Sequence, residues 1–92
     1  MKKAKVNDPE RAYRTPELGL ASFLVFTKLP LLGIEASPNG RVEFVFPNSL
    51  ECERLCREYW SGAARVEPEG FRQVYNRLRA AIRDVRRQGE RS

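Results

Sequence analysis

The chain has 92 residues, of which 41% are hydrophobic and 32% are charged; this composition excludes a disordered chain and fits one small folded domain. The net charge of +5 resides at the ends: residues 1–14 carry five basic and two acidic groups, residues 71–92 carry seven and two, and the stretch between carries five and eight. No apolar run reaches the roughly 18 residues of a membrane span, so we expect no membrane contact.

The first 14 residues show no apolar periodicity, which predicts a flexible basic arm. The arm would act electrostatically through Lys2, Lys3 and Lys5. Their charge is typical of a signal peptide, but Asp8, Pro9 and Glu10 stand where its apolar segment would have to follow. We therefore expect a cytoplasmic protein.

The first helix should begin after Thr15, whose hydroxyl can cap it, and should run from Pro16 to about Lys28. Apolar residues occupy nearly every side of this segment. That pattern indicates either deep burial or a second apolar surface covered by a partner. We therefore predict a homo-oligomer, in the simplest case a homodimer.

A β-hairpin is predicted between residues 31 and 46, around the turn Ser37-Pro38-Asn39-Gly40. A type I turn with a glycine bulge pairs Ser37 with Arg41. The resulting apolar face holds Leu32, Ile34, Ala36, Val42, Phe44 and Phe46. Two strands alone are marginally stable, so this face must lie on helices or the sheet must be extended, for instance across a dimer.

Asn48 and Glu51 match a capping box that opens a second helix, which ends at Gly62. The inward stripe of this helix holds Cys52, Leu55, Cys56 and Tyr59. The final helix should run from about Pro68 to Gln88, with Gly89 as its stop.

The predicted fold is α+β, in the order helix, hairpin, helix, helix, with the apolar face of the hairpin covered by helices. It forms a single domain over residues 15–88, after the arm and before a disordered basic tail at residues 89–92.

Arginines gather along one flank of the final helix, namely Arg72, Arg79, Arg83, Arg86 and Arg87. At about 100° per residue these positions share one sector, and the apolar positions occupy another. Planar guanidinium groups suit phosphate oxygens, which indicates a nucleic-acid contact. The alternative is a solvated face whose charge complements the helix dipole. Tyr75 borders this sector, and Tyr13 and Trp60 are expected to be exposed, as stacking on bases would require.

The sequence gives little support for metal binding or enzymatic activity. The chain contains no histidine and only two cysteines, Cys52 and Cys56, too few ligands for a structural metal site within one chain. We expect these cysteines to be small core residues without a disulfide. Because phosphate loops, dinucleotide fingerprints and nucleophile elbows are also missing, we expect neither enzymatic activity nor a cofactor, a metal or a small-molecule substrate.

The sequence carries a spaced set of aromatic and glycine positions: Tyr13-x-Thr15, Leu20-Ala21-x-Phe23-Leu24, Val42-x-Phe44-Val45-Phe46 and Glu58-Tyr59-Trp60-x-Gly62. The set resembles a family of short bacterial and phage-associated proteins catalogued only as a domain of unknown function. The resemblance covers about residues 13–83. It implies a compact stand-alone domain, sometimes carried by mobile elements, and it assigns no activity or binding residues.

These observations favour a small DNA- or RNA-binding protein that contacts mainly phosphates and has weak sequence preference. The alternative is a homodimeric protein-interaction or adaptor module, whose basic ends serve solubility or bind an acidic protein. That alternative predicts an apolar surface patch formed by first-helix residues such as Phe23 or Phe26.

Overall fold

The computed structural model describes the backbone of residues 12–91 and the side chains of residues 12–88. In chain order the elements are β1 (Ala12–Thr15), α1 (Leu18–Phe26), β2 (Gly33–Ala36), β3 (Val42–Pro47), α2 (Leu50–Ser61) and α3 (Pro68–Arg91). This confirms the predicted α+β class and the order helix, hairpin, helix, helix. The structure adds one strand, β1, ahead of that order.

The three strands form an antiparallel sheet in the order β1-β3-β2. β1 pairs with β3, with Thr15 opposite Phe44, so residues 12–14, which we predicted to belong to the arm, lie in the sheet. Thr15 therefore ends a strand instead of capping a helix, although its Oγ1 accepts a hydrogen bond of 3.1 Å from the Glu17 amide. The added strand extends the hairpin within a single chain.

The hairpin has the predicted register and turn. The Ser37 amide donates to the Arg41 carbonyl at 2.7 Å, and Ile34 lies opposite Phe44. Gly40 has a φ of 86°, the left-handed conformation that the bulge requires and that glycine adopts without steric cost. Leu32 differs from the prediction, because it precedes β2 and is 39% exposed.

Helix α1 lies inside the protein and packs against α2, α3 and β1. Its residues Leu20 and Leu24 are fully buried, together with Phe44 and Phe46 of the sheet. This burial within one chain explains why α1 is apolar on every side. Phe23 is only 2% exposed, so the predicted surface patch at Phe23 is wrong and the main argument for a dimer loses its basis.

The ends of the helices differ from the prediction by a few residues. α1 begins two residues after Pro16, because Glu17 is still extended, with φ −80° and ψ 109°. α2 ends as predicted at Gly62, whose φ is 83°. α3 begins at Pro68 as predicted but continues past Gly89 to Arg91. An isolated glycine costs a helix only about 1 kcal/mol and does not stop it by itself.

The cap of α2 is Ser49, not Asn48. The Ser49 Oγ accepts a hydrogen bond of 3.1 Å from the Cys52 amide, which satisfies one of the unpaired amides of the first turn. Both residues are good caps by type, and the extended backbone of Ser49, with φ −122° and ψ 169°, places its hydroxyl over the helix end.

Replacing the true cap should lower stability, whereas replacing its neighbour should not. We expect Ser49→Ala to reduce the free energy of unfolding by about 1 kcal/mol. Asn48→Ala is the matched control, and urea denaturation should find it within a few tenths of a kcal/mol of the unmodified chain. A larger loss in Asn48→Ala than in Ser49→Ala would contradict the assignment of the cap.

Helix α2 packs closely against α1 at Gly19. A Cβ atom at this position would lie 2.4 Å from the Tyr59 hydroxyl oxygen. The Tyr59 ring is held between Phe23, at a centroid distance of 5.9 Å, and Trp60, at 5.1 Å. Because these neighbours restrain the ring, an added methyl group has little room.

This contact predicts a reversal of sign in a double-mutant cycle. Gly19→Ala alone should destabilise the protein by about 1 to 2 kcal/mol through the steric clash. In a Tyr59→Phe background the hydroxyl is gone, and the same change should stabilise by up to about 1 kcal/mol because alanine favours helix. Thermal and urea unfolding of the four proteins measure both effects; additive effects would show that the clash does not exist.

Candidate functional site

Core packing fixes the rotation of α3. Val74 and Leu78 are 8% and 6% exposed, and Ile82 packs against the same core. The helix lies against α1 and, on the sheet, mainly against β2. Since 3.6 residues make one turn, this packing determines which side chains of α3 point into solvent.

Four of the five predicted arginines form one exposed surface, called here the basic flank: Arg79, Arg83, Arg86 and Arg87. Together with the edge of Ile82, they line an open hollow of about 500 Å³. At 1.5 Å per residue the basic flank extends about 12 Å along the helix axis. The sequence therefore predicted this grouping correctly, because it depends only on helical periodicity.

Arg72, the fifth predicted arginine, is engaged elsewhere. Its Nη2 lies 2.7 Å from the Glu69 carboxylate, a pair three residues apart on the helix. Arg72 is therefore a weaker candidate for phosphate contact than the sequence suggested, and Glu69 was the sequence signal that could have shown this. Lys2, Lys3 and Lys5 lie outside the described residues.

The basic flank carries charge without an internal counterion among the described residues. The salt bridges of the described residues lie elsewhere and join Arg14 to Glu35, Arg54 to Glu51 and Glu58, and Arg72 to Glu69. For Arg54, the hydrogen bond and charge of Glu51 raise the pKa above its usual value. Over residues 12–88, whose side chains the structure describes, no carboxylate forms such a pair with Arg79, Arg83, Arg86 or Arg87.

Another side of α3 faces α1, where two cations lie beside apolar residues. Arg77 and Lys28 lie at a second hollow whose floor is formed by Val25, Phe26, Gly70 and Val74. On the helical wheel, Arg77 and Arg79 are about 160° apart. These two cations are exposed but separate from the basic flank, so they provide a comparison of equal charge on the same molecule.

Aromatic residues differ in their exposure. Trp60 is 62% exposed, as predicted. Tyr13 is half-buried rather than exposed, because β1 places it in the sheet beside Phe46. Tyr75 is half-buried one turn before Arg79, and its ring packs on Phe71 at a centroid distance of 6.3 Å. Of these aromatic side chains, Tyr75 is the one that shares α3 with the basic flank.

Tyr13 and the two cysteines form a cluster at the junction of β1 and α2. Burial, and then the neighbouring Cys56 thiol, raise the pKa of Tyr13 to about 12. Burial, and then the charge of Cys56, raise the pKa of the Cys52 thiol to about 12. Both cysteines are free. A buried thiol that stays protonated is a poor nucleophile and a poor metal ligand, which favours the interpretation as core residues.

The side chains described by the structure, those of residues 12–88, include no group of three or more that could together bind a metal ion. The helices of the described residues are too short or too polar to cross a bilayer. No family model, no curated protein and no solved structure matches the chain. The resemblance to a family of short bacterial and phage-associated proteins stays a prediction.

The Tyr13 and Cys52 pKa values predict a loss of stability in alkali. Both groups are acids whose pKa is raised in the folded state, from 10.0 and 9.0 to about 12. The unfolded chain releases these protons first, so stability is fully present below about pH 9 and falls as the pH rises toward 12. Under reducing conditions, urea unfolding at about pH 8 and pH 11 should show this loss, and Cys52→Ala should make it smaller. An unchanged pH dependence in that variant would refute the assignment.

Proposed function

We propose that this protein binds nucleic acid through phosphate contacts made by the basic flank, with little preference for sequence. The observation that supports the proposal is a row of four exposed arginines without a described carboxylate partner, Arg79, Arg83, Arg86 and Arg87. Guanidinium groups bind phosphate oxygens with paired hydrogen bonds. Lys2, Lys3 and Lys5 add charge that can increase the association rate.

The energetics of the free protein favour such a ligand. Like charges three or four residues apart on a helix repel by a few tenths of a kcal/mol per pair. A polyanion removes that repulsion and gains entropy as its counterions are released. The helix dipole favours cations only within the last turn, so it does not account for Arg79 and Arg83, which lie two or more turns before the end of α3.

The proposed role is that of a non-enzymatic binding protein in the cytoplasm. The competing role, a protein-interaction module that docks through α1, is weakened because α1 is internal and Phe23 is buried. Phe26 is half-buried and its ring packs on Phe71 at a centroid distance of 6.4 Å. Self-association through the edge of β2 stays a prediction, since among the described strands β2 pairs with β3 alone.

Charge removal on the two sides of α3 tests the proposal. The binding affinity is measured by fluorescence anisotropy over a salt series. Log affinity should fall with log salt, with a slope of about −0.7 to −0.9 per phosphate contact. Arg79→Gln/Arg83→Gln should therefore make the slope shallower by about 1.4 to 1.8 and weaken binding at low salt. The residues are exposed, so stability should change by less than about 0.5 kcal/mol.

The matched control is Lys28→Gln/Arg77→Gln, which removes the same charge from the other hollow. It should leave the slope nearly unchanged. Equal losses in both double variants would show that only the net charge matters, and the basic flank would then not be the binding site. Absence of binding to any oligonucleotide at low salt would remove the proposed function altogether.

A further inference from the structure

The exposed half of α3 is charged asymmetrically. One side holds the basic flank, whereas the outermost positions and the far side hold Gln73, Ala80, Asp84 and Gln88 together with Arg77, all exposed. On the helical wheel Asp84 lies about 100° from Arg83, away from the buried stripe. Among the described side chains, an anion that contacts the basic flank is therefore bordered on its outer side by neutral groups and by one acidic and one basic residue, Asp84 and Arg77, whose charges cancel.

This asymmetry distinguishes between two ways of holding nucleic acid. A helix of 10–12 Å diameter that enters the major groove, about 12 Å wide, meets a phosphate backbone on each side. In that position the second backbone would meet Asp84 and Arg77, so it would find no net positive charge among the described side chains there, and Asp84 would repel it. A single strand brings only one backbone to the helix, and the basic flank alone can neutralise it.

Tyr75 supplies a second feature that favours a single strand. On the wheel its position falls between the buried stripe of α3 and the basic flank, about 40° from Arg79. The Phe71 ring supports it from one side, at 6.3 Å and an angle of 39° between ring planes, and the residue stays half-exposed. Bases of a single strand stack on such rings, whereas bases inside a duplex are already stacked on each other.

We propose that the basic flank takes a single-stranded nucleic acid, with phosphates on Arg79, Arg83, Arg86 and Arg87 and one base against Tyr75. This inference rests on the proposed function and specifies its ligand. At about 3.4 Å of strand per nucleotide, the 12 Å of the basic flank correspond to about three or four phosphates. Full occupancy of the four arginines gives a salt slope of about −2.8 for a single strand.

The test compares a labelled oligothymidine of about 12 nucleotides with a duplex of about the same length. We expect the single strand to bind at least about fivefold more tightly, because stacking is worth a factor of about 5 to 150 per base. Tyr75→Leu should weaken single-strand binding by a similar factor, whereas Tyr75→Phe, which keeps the ring, should retain it. Asp84→Asn should leave single-strand affinity within about twofold.

The outcomes separate this inference from the function on which it rests. Duplex binding by the unmodified chain as tight as single-strand binding would overturn the single-strand assignment and leave phosphate binding intact, whereas a duplex affinity that rises in Asp84→Asn is the result expected if Asp84 repels the second backbone. Unchanged single-strand affinity in a folded Tyr75→Leu would overturn the stacking contact. If circular dichroism shows that Tyr75→Leu does not fold, the comparison of single strand and duplex on the unmodified chain still decides. Failure of both ligands to bind at low salt refutes the proposed function itself.

Discussion

The burial of α1 is the constraint on which the rest of the structure depends. Leu20, Leu24 and the neighbouring Phe44 are fully excluded from water, and burying each large apolar side chain contributes about 1.5 to 3 kcal/mol. A domain this small has one core, so the sheet, α2 and α3 are all positioned by contact with it. The direction of the basic flank is a consequence: α3 must turn Val74 and Leu78 toward this core, and its arginines then lie where the remaining helical positions place them.

Much of the fold could be predicted because it is specified locally. The hairpin depends on Ser37–Gly40 and on the alternation beside it, and both lie within a few residues of each other. β1 could not be found in this way, because its four residues become a strand only by pairing with β3, about 30 residues later in the chain. The apolar surface of α1 was visible, but a sequence shows how apolar a helix is and not which partner covers it. The sequence therefore allowed two interpretations, burial of α1 within its own chain and an apolar surface of α1 covered by a partner, and the structure shows the first.

In the candidate site, too, features set by the local sequence could be predicted, whereas features set by contacts between side chains could not. Periodicity alone grouped the arginines of α3, because a helix repeats every 3.6 residues whatever surrounds it. Whether each guanidinium is available depends on neighbouring carboxylates. Glu69 lies three residues before Arg72 and pairs with it, whereas the position three residues before Arg79 is Asn76. Asp84 lies three residues before Arg87 but forms no salt bridge with it, so spacing alone does not decide the outcome. Tyr13 could not be assigned from local pattern, since its burial follows from the pairing of β1 with β3.

The extent of α3 also bears on why the arginines are present. Its residues that are buried in the core, Val74 and Leu78, belong to its first half, and Ile82 is only partly buried. All four members of the basic flank therefore follow the last strongly packed position, Leu78, and three of them, Arg83, Arg86 and Arg87, also follow Ile82. Folding the core does not require their charge, and their mutual repulsion opposes helix formation slightly. A row of like charges on the part of a helix that the core needs least is explained more simply by a ligand outside the chain than by the stability of the fold.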